Sequence, residues 1–490
     1  MRARTRELLV SGCALLGLLT VFGIGCVEQP VSGELPEALA VVVTELPAGA
    51  SPEALNSDPA PDSRYPEGSR IALIVEGQPG TGRILSGGFV AAGAPDVSSS
   101  GDAVLFTARR SAADPWTIYR SDLQRRSRPQ AITQLDTDCT DPAFLAGGRA
   151  VFSCLAPVPG REQEGDKTWA LHTARLDGSH FERITYGLLA ASGPTQLPDG
   201  RVLFSMWQEA GAGRSQSSTA LFTVNADGTL LQSFSGHHGG PVLKQRPRLA
   251  DQGRVVFLGA EPPAYEPLLL GVEMARPQSP MESYDPPVTP LSAEPLGGGE
   301  MLLVGRDERV GAPGSSGLYR WRPGDSPIAI RGHEKWDVVE AVPRRPAPEP
   351  KDRPSAVVRT RLTGILLCYD AQRSDGVVGP SDSSSPARRV VLETLNGGAR
   401  SSAMVLGVDN LDDDGSFHLE VPADRPLRVR TLDEAGAEVA TSGWFWLRPG
   451  EVRSCFGCHE SREVAPVNRP IAALAHGPSR LGVLGEAGSR

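Results

Sequence analysis

Cys455-Phe456-Gly457-Cys458-His459 is the stretch of this 490-residue chain whose residue types and spacing specify a chemistry. Two cysteines separated by two residues and followed at once by histidine form the attachment signature of a c-type haem. The two thiols would add to the vinyl groups on one porphyrin edge. His459 would then lie under the iron as the proximal axial ligand. Gly457 is expected to let the backbone turn tightly between the thiols. The same thiols could instead form a reducible disulfide or half of a zinc site, and no second CxxC is present to complete the latter. Just upstream, Trp444-Phe445-Trp446 offers an apolar wall for a porphyrin, with Trp444 and Trp446 as cofactor-binding candidates. Ordinary core packing is the competing role for both tryptophans.

The sixth iron ligand would decide what such a haem does. A methionine or histidine makes an electron-transfer centre, and an open position admits small molecules. Three residues qualify: Met404, His418 and His476. Met404 sits in an apolar, strand-like run and reads as core. His418 follows a turn and reads as strand. His476 follows Ala472-Ala473-Leu474-Ala475, a short helical stretch or part of a loose tail.

C-type haem is attached outside the cytoplasm, and the N-terminus carries an export signal. Arg2, Arg4 and Arg6 precede an apolar run from Leu8 to Ile24, which ends at Gly23-Ile24-Gly25-Cys26. This is the form of a bacterial lipoprotein signal, so residues 1–26 are read as a cleaved segment and Cys26 as the lipidated residue. Val27 after that cysteine points, in a Gram-negative host, to the periplasmic side of the outer membrane. An uncleaved anchor is the alternative reading, and no other stretch is long and apolar enough to span a bilayer.

The net charge of −9 argues against a nucleic-acid partner. Gly (55) and Pro (43) are abundant and aromatics make up 6%, which favours short strands and many turns. Cys139, Cys154 and Cys368 remain once the signal, lipid and haem cysteines are assigned. A Cys139–Cys154 disulfide and three buried thiols both fit an exported chain.

Residues 27–68 are rich in Pro, Ala, Ser and acidic residues and read as a flexible linker. From 69 to 345 a unit recurs: a proline, a Gly-containing turn, then an apolar strand. It runs from Pro95 to Phe106, Pro142 to Phe152, Pro194 to Phe204 and Pro247 to Phe257, with a decayed copy from Pro295 to Leu303. A spacing of about 50 residues is that of a propeller blade. Second strands enter Asp177-Gly178 and Asp227-Gly228, which are hairpin signals. The pattern predicts about six blades. Ile71–Val75 and Trp336–Val339 are expected to share a closing blade. The aromatics here read as blade packing, and His237-His238 as a solvated loop.

A proline-rich connector (346–354) leads to a β-sandwich-like domain (355–450), with strands expected at Thr363–Tyr369, Arg389–Leu392, Ser416–Val421 and Leu427–Leu432. Asp412-Asp413-Asp414-Gly415 reads as a turn, because Val421 stands where a calcium loop needs its bidentate glutamate. Residues 451–490 form the haem-binding segment and tail. The fold class is therefore mainly β: a propeller, a small immunoglobulin-like domain and a short haem segment.

The repeats resemble TolB-like propellers, which implies fold and not function. A second resemblance is carried by Asp414-Gly415-Ser416-Phe417, Val421-Pro422-Ala423-Asp424-Arg425-Pro426, Leu447-Arg448-Pro449-Gly450-Glu451, Cys458-His459-Glu460 and Pro466-Val467-Asn468-Arg469. Together these are similar to proteins related to the hydrazine synthase alpha subunit. The resemblance implies a propeller flanked by modules, with haem near the C-terminal part. In hydrazine synthase, haem centres convert nitric oxide and ammonium to hydrazine within a multi-subunit complex. That alpha subunit carries two c-type haems, whereas CFGCH occurs once here. A two-centre reaction would need a second haem from another polypeptide.

Three functions from different classes follow. The first is an electron-transfer lipoprotein whose propeller docks a redox partner or another subunit. The second is a haem enzyme or sensor acting on a small nitrogen or oxygen species. The third is a propeller scaffold in which haem is incidental. No GxSxG elbow and no HExxH accompany the motif.

Overall fold

A computed structural model describes residues 38–50, 59–78, 80, 82–160, 166–208, 218–236, 241–307, 315–331, 336–373, 385–395, 403–457 and 468–482. Cys26, His237-His238, Cys458 and His459 lie outside them. The structure is almost wholly β, and among the described residues no helix is long and apolar enough to cross a membrane.

Apolar strands of alternating face and Gly-containing turns build six four-stranded antiparallel sheets in the first part of the chain. Their innermost strands are Trp336–Pro343, Ala91–Val97, Cys139–Leu145, Ala191–Gln196, Leu243–Ala250 and Thr289–Gly297. Each packs against the next and the last against the first, so the ring closes as a propeller. Cores form between neighbouring sheets. Phe106 packs with Val42 and Ile71, Phe152 with Leu105, and Phe257 with Leu203. The phenylalanines that end the repeat are therefore blade packing.

The ring closes on a strand that composition hid. Ala40–Pro47 lies between Arg70–Val75 and Trp336–Pro343 and pairs antiparallel with both. The expectation of a linker through residue 68 is corrected here, because the propeller begins at Ala40. Its run Val41-Val42-Val43 is fully buried, and Tyr65 from the same stretch is buried as well. Pro, Ala and Ser around a short strand masked it, and its pairing partner lies nearly 300 residues away. The ends of the ring do share a sheet as expected, with this strand between them.

The recurring prolines mark bulges. In four inner strands the register breaks at the X-Pro step, at Gly93/Asp96, Thr140/Ala143, Ser192/Thr195 and Gln245/Arg248. The residue before proline is left-handed in each: Ala94, Asp141, Gly193 and Arg246. In the sixth sheet the corresponding break falls between Pro290 and Ser292, ahead of Pro295. These bulges turn Asp141 and Arg246 into the central channel.

Cys139 and Cys154 are register partners on neighbouring strands and form a disulfide closing a separation of 15 residues. Breaking it with a Cys139→Ser, Cys154→Ser double variant is expected to cost about 3 kcal/mol by loop entropy. Chemical denaturation of the two proteins checks this, and an unchanged midpoint would contradict it.

The connector is not a free spacer. It runs across the propeller face, with the Ala347 N–H on Ser99 O (2.8 Å), Lys351 N–H on Pro198 O (3.1 Å) and Ala356 N–H on the Asp227 carboxylate (2.7 Å). It delivers the chain to two four-stranded sheets packed face to face. One has the strand order Val452–Cys455, Thr363–Cys368, Phe417–Pro422, Ser479–Arg480. The other has the order Ala403–Asn410, Arg389–Leu395, Leu427–Leu432, Glu438–Thr441. Leu366, Leu419 and Val421 of the first sheet meet Val390, Leu392 and Val429 of the second in one core. Asp412–Gly415 is a turn, closed by Gly415 N–H on Asp412 O, as the sequence suggests.

Candidate functional site

The first motif cysteine is the last residue of strand Val452–Cys455, which pairs parallel with Thr363–Cys368. The registers align Ser454 with Leu367 and His418, and Cys455 with Cys368 and Phe417. Side chains alternate along a strand, so the two rows face opposite sides. Cys455 is half-buried and packs, with Phe445, Leu406 and Leu411, against the edge of the sandwich core. Beyond the strand, the Tyr369 N–H donates to Cys455 O (2.9 Å), and the Tyr369 and Phe456 rings lie 4.9 Å apart. A Cβ on Gly457 would come within 2.7 Å of Arg373 O. Close approach to that backbone, not a left-handed turn, is what demands glycine inside this motif.

The chain past the motif returns to the same corner. Arg469 binds the Asp414 carboxylate and donates to Asp414 O (2.8 Å) and Tyr369 O (3.1 Å). Burial alone would raise the Asp414 pKa, but hydrogen bonds from Ala472 and Ser416 and the charge of Arg469 hold it at about 2.

Strand 452–455 is tied to the propeller. Arg448, 3% exposed, donates to Asp424 (2.8 Å), to Glu182 (2.7 Å) and to Asp227 O. Its guanidinium also lies over the Tyr186 ring. Burial alone would lower its pKa, yet Tyr186, Asp424 and Glu182 keep it raised. Glu451 accepts the N–H of Leu230 (2.9 Å) and of Arg448 (2.8 Å). Arg453 donates to Leu231 O (2.5 Å). The hairpin signal Asp227-Gly228 is thus also a docking surface. A Cβ on Gly228 would meet both Arg448 and Ile184 O at 2.5 Å. Nothing local in the sequence announces this role.

Trp446 is buried in the propeller core beside Met206 and Phe204, and its Nε1–H donates to Gly228 O (3.0 Å). It fastens the sandwich to the propeller. Trp444 lies half-buried under the Arg428 guanidinium (4.7 Å). Packing contacts therefore occupy both rings proposed as a porphyrin wall.

The three distal-ligand candidates part company. Met404 is 40% exposed on the edge strand of the second sheet, which corrects its reading as core. His476 is exposed after a single 3-10 turn, Ala472–Ala475, and its Nε2 faces Asp412 at 3.1 Å. Hydrogen bonds to Gly477 O and Asp412 raise its pKa. His418 is half-buried, and its Nδ1 is buried with no hydrogen-bond partner. Of the two histidines, His418 is the one with a ring nitrogen uncommitted among the described residues.

The propeller channel is a second candidate, a cavity of about 80 Å³ lined by Arg64, Asp141, Arg246, Arg248, Glu294 and Glu340. These charges are mutually engaged. Glu340 accepts from Tyr65 (2.7 Å), Thr44 (2.8 Å), Ala94 N–H (2.9 Å) and Arg64 (3.1 Å). Arg64 also binds Asp141 (2.6 Å), which accepts the Gly193 N–H (3.2 Å), and Arg248 binds Glu294 (2.7 Å). The channel is a brace across sheets.

One channel-side carboxylate is poorly compensated. Burial pushes Asp96 up to about 7, although Phe144 N–H and Arg248 oppose it. A carboxyl with a raised folded pKa deprotonates first in the unfolded chain, so it costs stability increasingly from about pH 4 to 7. Asp96→Asn is expected to remove up to roughly 4 kcal/mol of this loss and to raise stability at pH 8. Denaturation of both proteins at pH 4 and pH 8 checks it. Equal pH dependence would contradict it.

Residues 367–460 match the model of the hydrazine synthase alpha subunit middle domain. Kuenenia stuttgartiensis hydrazine synthase is similar in fold, with a TM-score of 0.76 at 19% identity, covering 89% of this chain and 71% of that one. TolB from Acinetobacter baumannii has a TM-score of 0.41 at 11% identity, covering 64% and 67%. No curated protein sequence matches the chain. The likeness is therefore one of sequence to the alpha subunit middle domain over 367–460, and one of fold to hydrazine synthase over most of the chain.

Proposed function

We propose that this relative of the hydrazine synthase alpha subunit is an exported, lipid-anchored, mono-haem c-type protein that transfers electrons, with the propeller as docking platform for a redox partner or further subunit. The observation that carries the reading is the position of Cys455, the first cysteine of CFGCH. Cys455 ends a strand registered into the sandwich, and Arg453, Glu451 and Arg448, two, four and seven positions before it, bind the propeller. A half-buried thiol at a strand end, with aromatic neighbours, suits a covalently held porphyrin. Cys455 and Cys458 would hold it, with His459 as the iron ligand the motif supplies and His418, His476 and Met404 as candidates for a further ligand. The group supplies one-electron exchange between ferric and ferrous iron. The chain's own part is to fix its orientation and to shield one edge from water.

Similarity in fold to Kuenenia hydrazine synthase favours a second reading, a haem enzyme acting on a small nitrogen or oxygen species with a partner's haem. The two differ in the sixth iron position. The protein, exported in a host with cytochrome c maturation, is purified under native and denaturing conditions, reduced and exposed to carbon monoxide. Absorbance that survives denaturation establishes covalent attachment. A reduced spectrum unchanged by carbon monoxide supports electron transfer. An immediate shift in the wild type puts the enzyme first. No covalent haem removes both and leaves a propeller scaffold.

A further inference from the structure

Cys455 and Cys368 are register partners on neighbouring strands, each at its strand's C-terminal end. In-register residues of parallel strands point to the same face, and neighbouring strands stand about 4.7–4.9 Å apart. A disulfide needs Cα atoms about 4.4–6.8 Å apart. Both side chains belong to the same core cluster, Cys368 within it and Cys455 at its rim. Tyr369 N–H on Cys455 O holds the strands together just past the pair. Cys139 and Cys154, register partners on antiparallel strands, are joined, whereas Cys368 and Cys455 are not joined in this structure.

We propose that Cys368 and Cys455 close a second cross-strand disulfide in the haem-free chain, withholding one attachment thiol from CFGCH until it is reduced. The second half of this proposal rests on the haem reading, and the disulfide itself does not. A disulfide such as oxidised glutathione serves as oxidant. One cysteine thiolate attacks it and releases one glutathione thiolate. The second cysteine thiolate then displaces the other, so two electrons pass to glutathione as two protons leave the protein thiols. A dithiol reverses both exchanges. Only then does Cys455 carry the sulfur–hydrogen bond that addition across a vinyl group consumes. Cys458, which lies outside the described residues, would keep its thiol throughout.

The full chain is exported without cytochrome c maturation, equilibrated with oxidised glutathione, alkylated and mapped by mass spectrometry without reduction. The expected product links the Cys368 and Cys455 peptides, leaves Cys458 alkylated, and disappears with dithiothreitol. Alkylated Cys368, whether Cys455 is alkylated too or linked to Cys458, overturns the proposal. Haem attachment gives an independent arm. Without reductant, Cys368→Ser should take up covalent haem severalfold better than wild type, and with dithiothreitol the two should be equal. Equal uptake without reductant overturns the withholding role. If neither protein takes up haem with dithiothreitol, the haem reading fails while the peptide map still decides the disulfide. Should Cys368→Ser not fold, the wild-type map alone carries the test.

Discussion

Arg448→Ala is expected to destabilise the protein by about 3–5 kcal/mol and to loosen the sandwich from the propeller, because it removes one partner of a buried charge network. The side chain is 3% exposed and touches both bodies: Asp424 on the sandwich side, and Glu182 and Asp227 O on the propeller side. Truncation leaves Asp424, which burial already pushes up in pKa, without its main compensating cation. Arg448→Lys is expected to recover only part of the loss, since an ammonium cannot span three acceptors in a planar fork. Limited proteolysis across 344–358, together with chemical denaturation, measures both effects. Wild-type resistance in Arg448→Ala would show that Trp446 and the connector suffice to hold the two bodies.

Glu340→Ala should cost a similar amount, about 3–5 kcal/mol, for a different reason. It strands Tyr65, Thr44, the Ala94 N–H and Arg64 at once, in a channel lined by all six sheets of the ring. Burial by itself would raise the carboxyl's pKa, but Arg246 and Arg64, with hydrogen bonds from Tyr65 and Thr44, hold it at about 2. A depressed folded pKa means that the group stabilises the fold above its unfolded value of about 4.5, and that this is lost as pH falls from there towards 2. Glu340→Gln should therefore flatten the acid limb of stability in that window and lower stability at pH 7. Denaturation midpoints between pH 2 and 7 test it, and an unaltered acid limb would remove the brace from the account.

The propeller was legible because its signals are local. A proline, a glycine turn and an apolar strand recur at nearly fixed spacing, and each segment carries its own period-2 face. The strands at Thr363, Arg389, Phe417 and Leu427 were legible on the same ground. Strand Val452–Cys455 was not, because it is short, half polar and held by parallel pairing to a segment almost 90 residues earlier. Ala40–Pro47 was lost in a Pro- and Ala-rich stretch for a similar reason. Its evidence lies in its partner strand, at the far end of the ring.

The site divides in the same way. Motif spacing is a one-dimensional property, so the sequence by itself determined which thiols and which histidine could carry a covalent haem. It also singled out Asp227-Gly228 as a turn. Only the tertiary structure decided that this turn receives Arg448 and Trp446, that Gly457 answers to Arg373, and that Cys368 stands beside Cys455. Each of these depends on which distant segments the sheets bring into register, and register is set by the packing of whole faces. No residue pattern within reach of a local reading contains it.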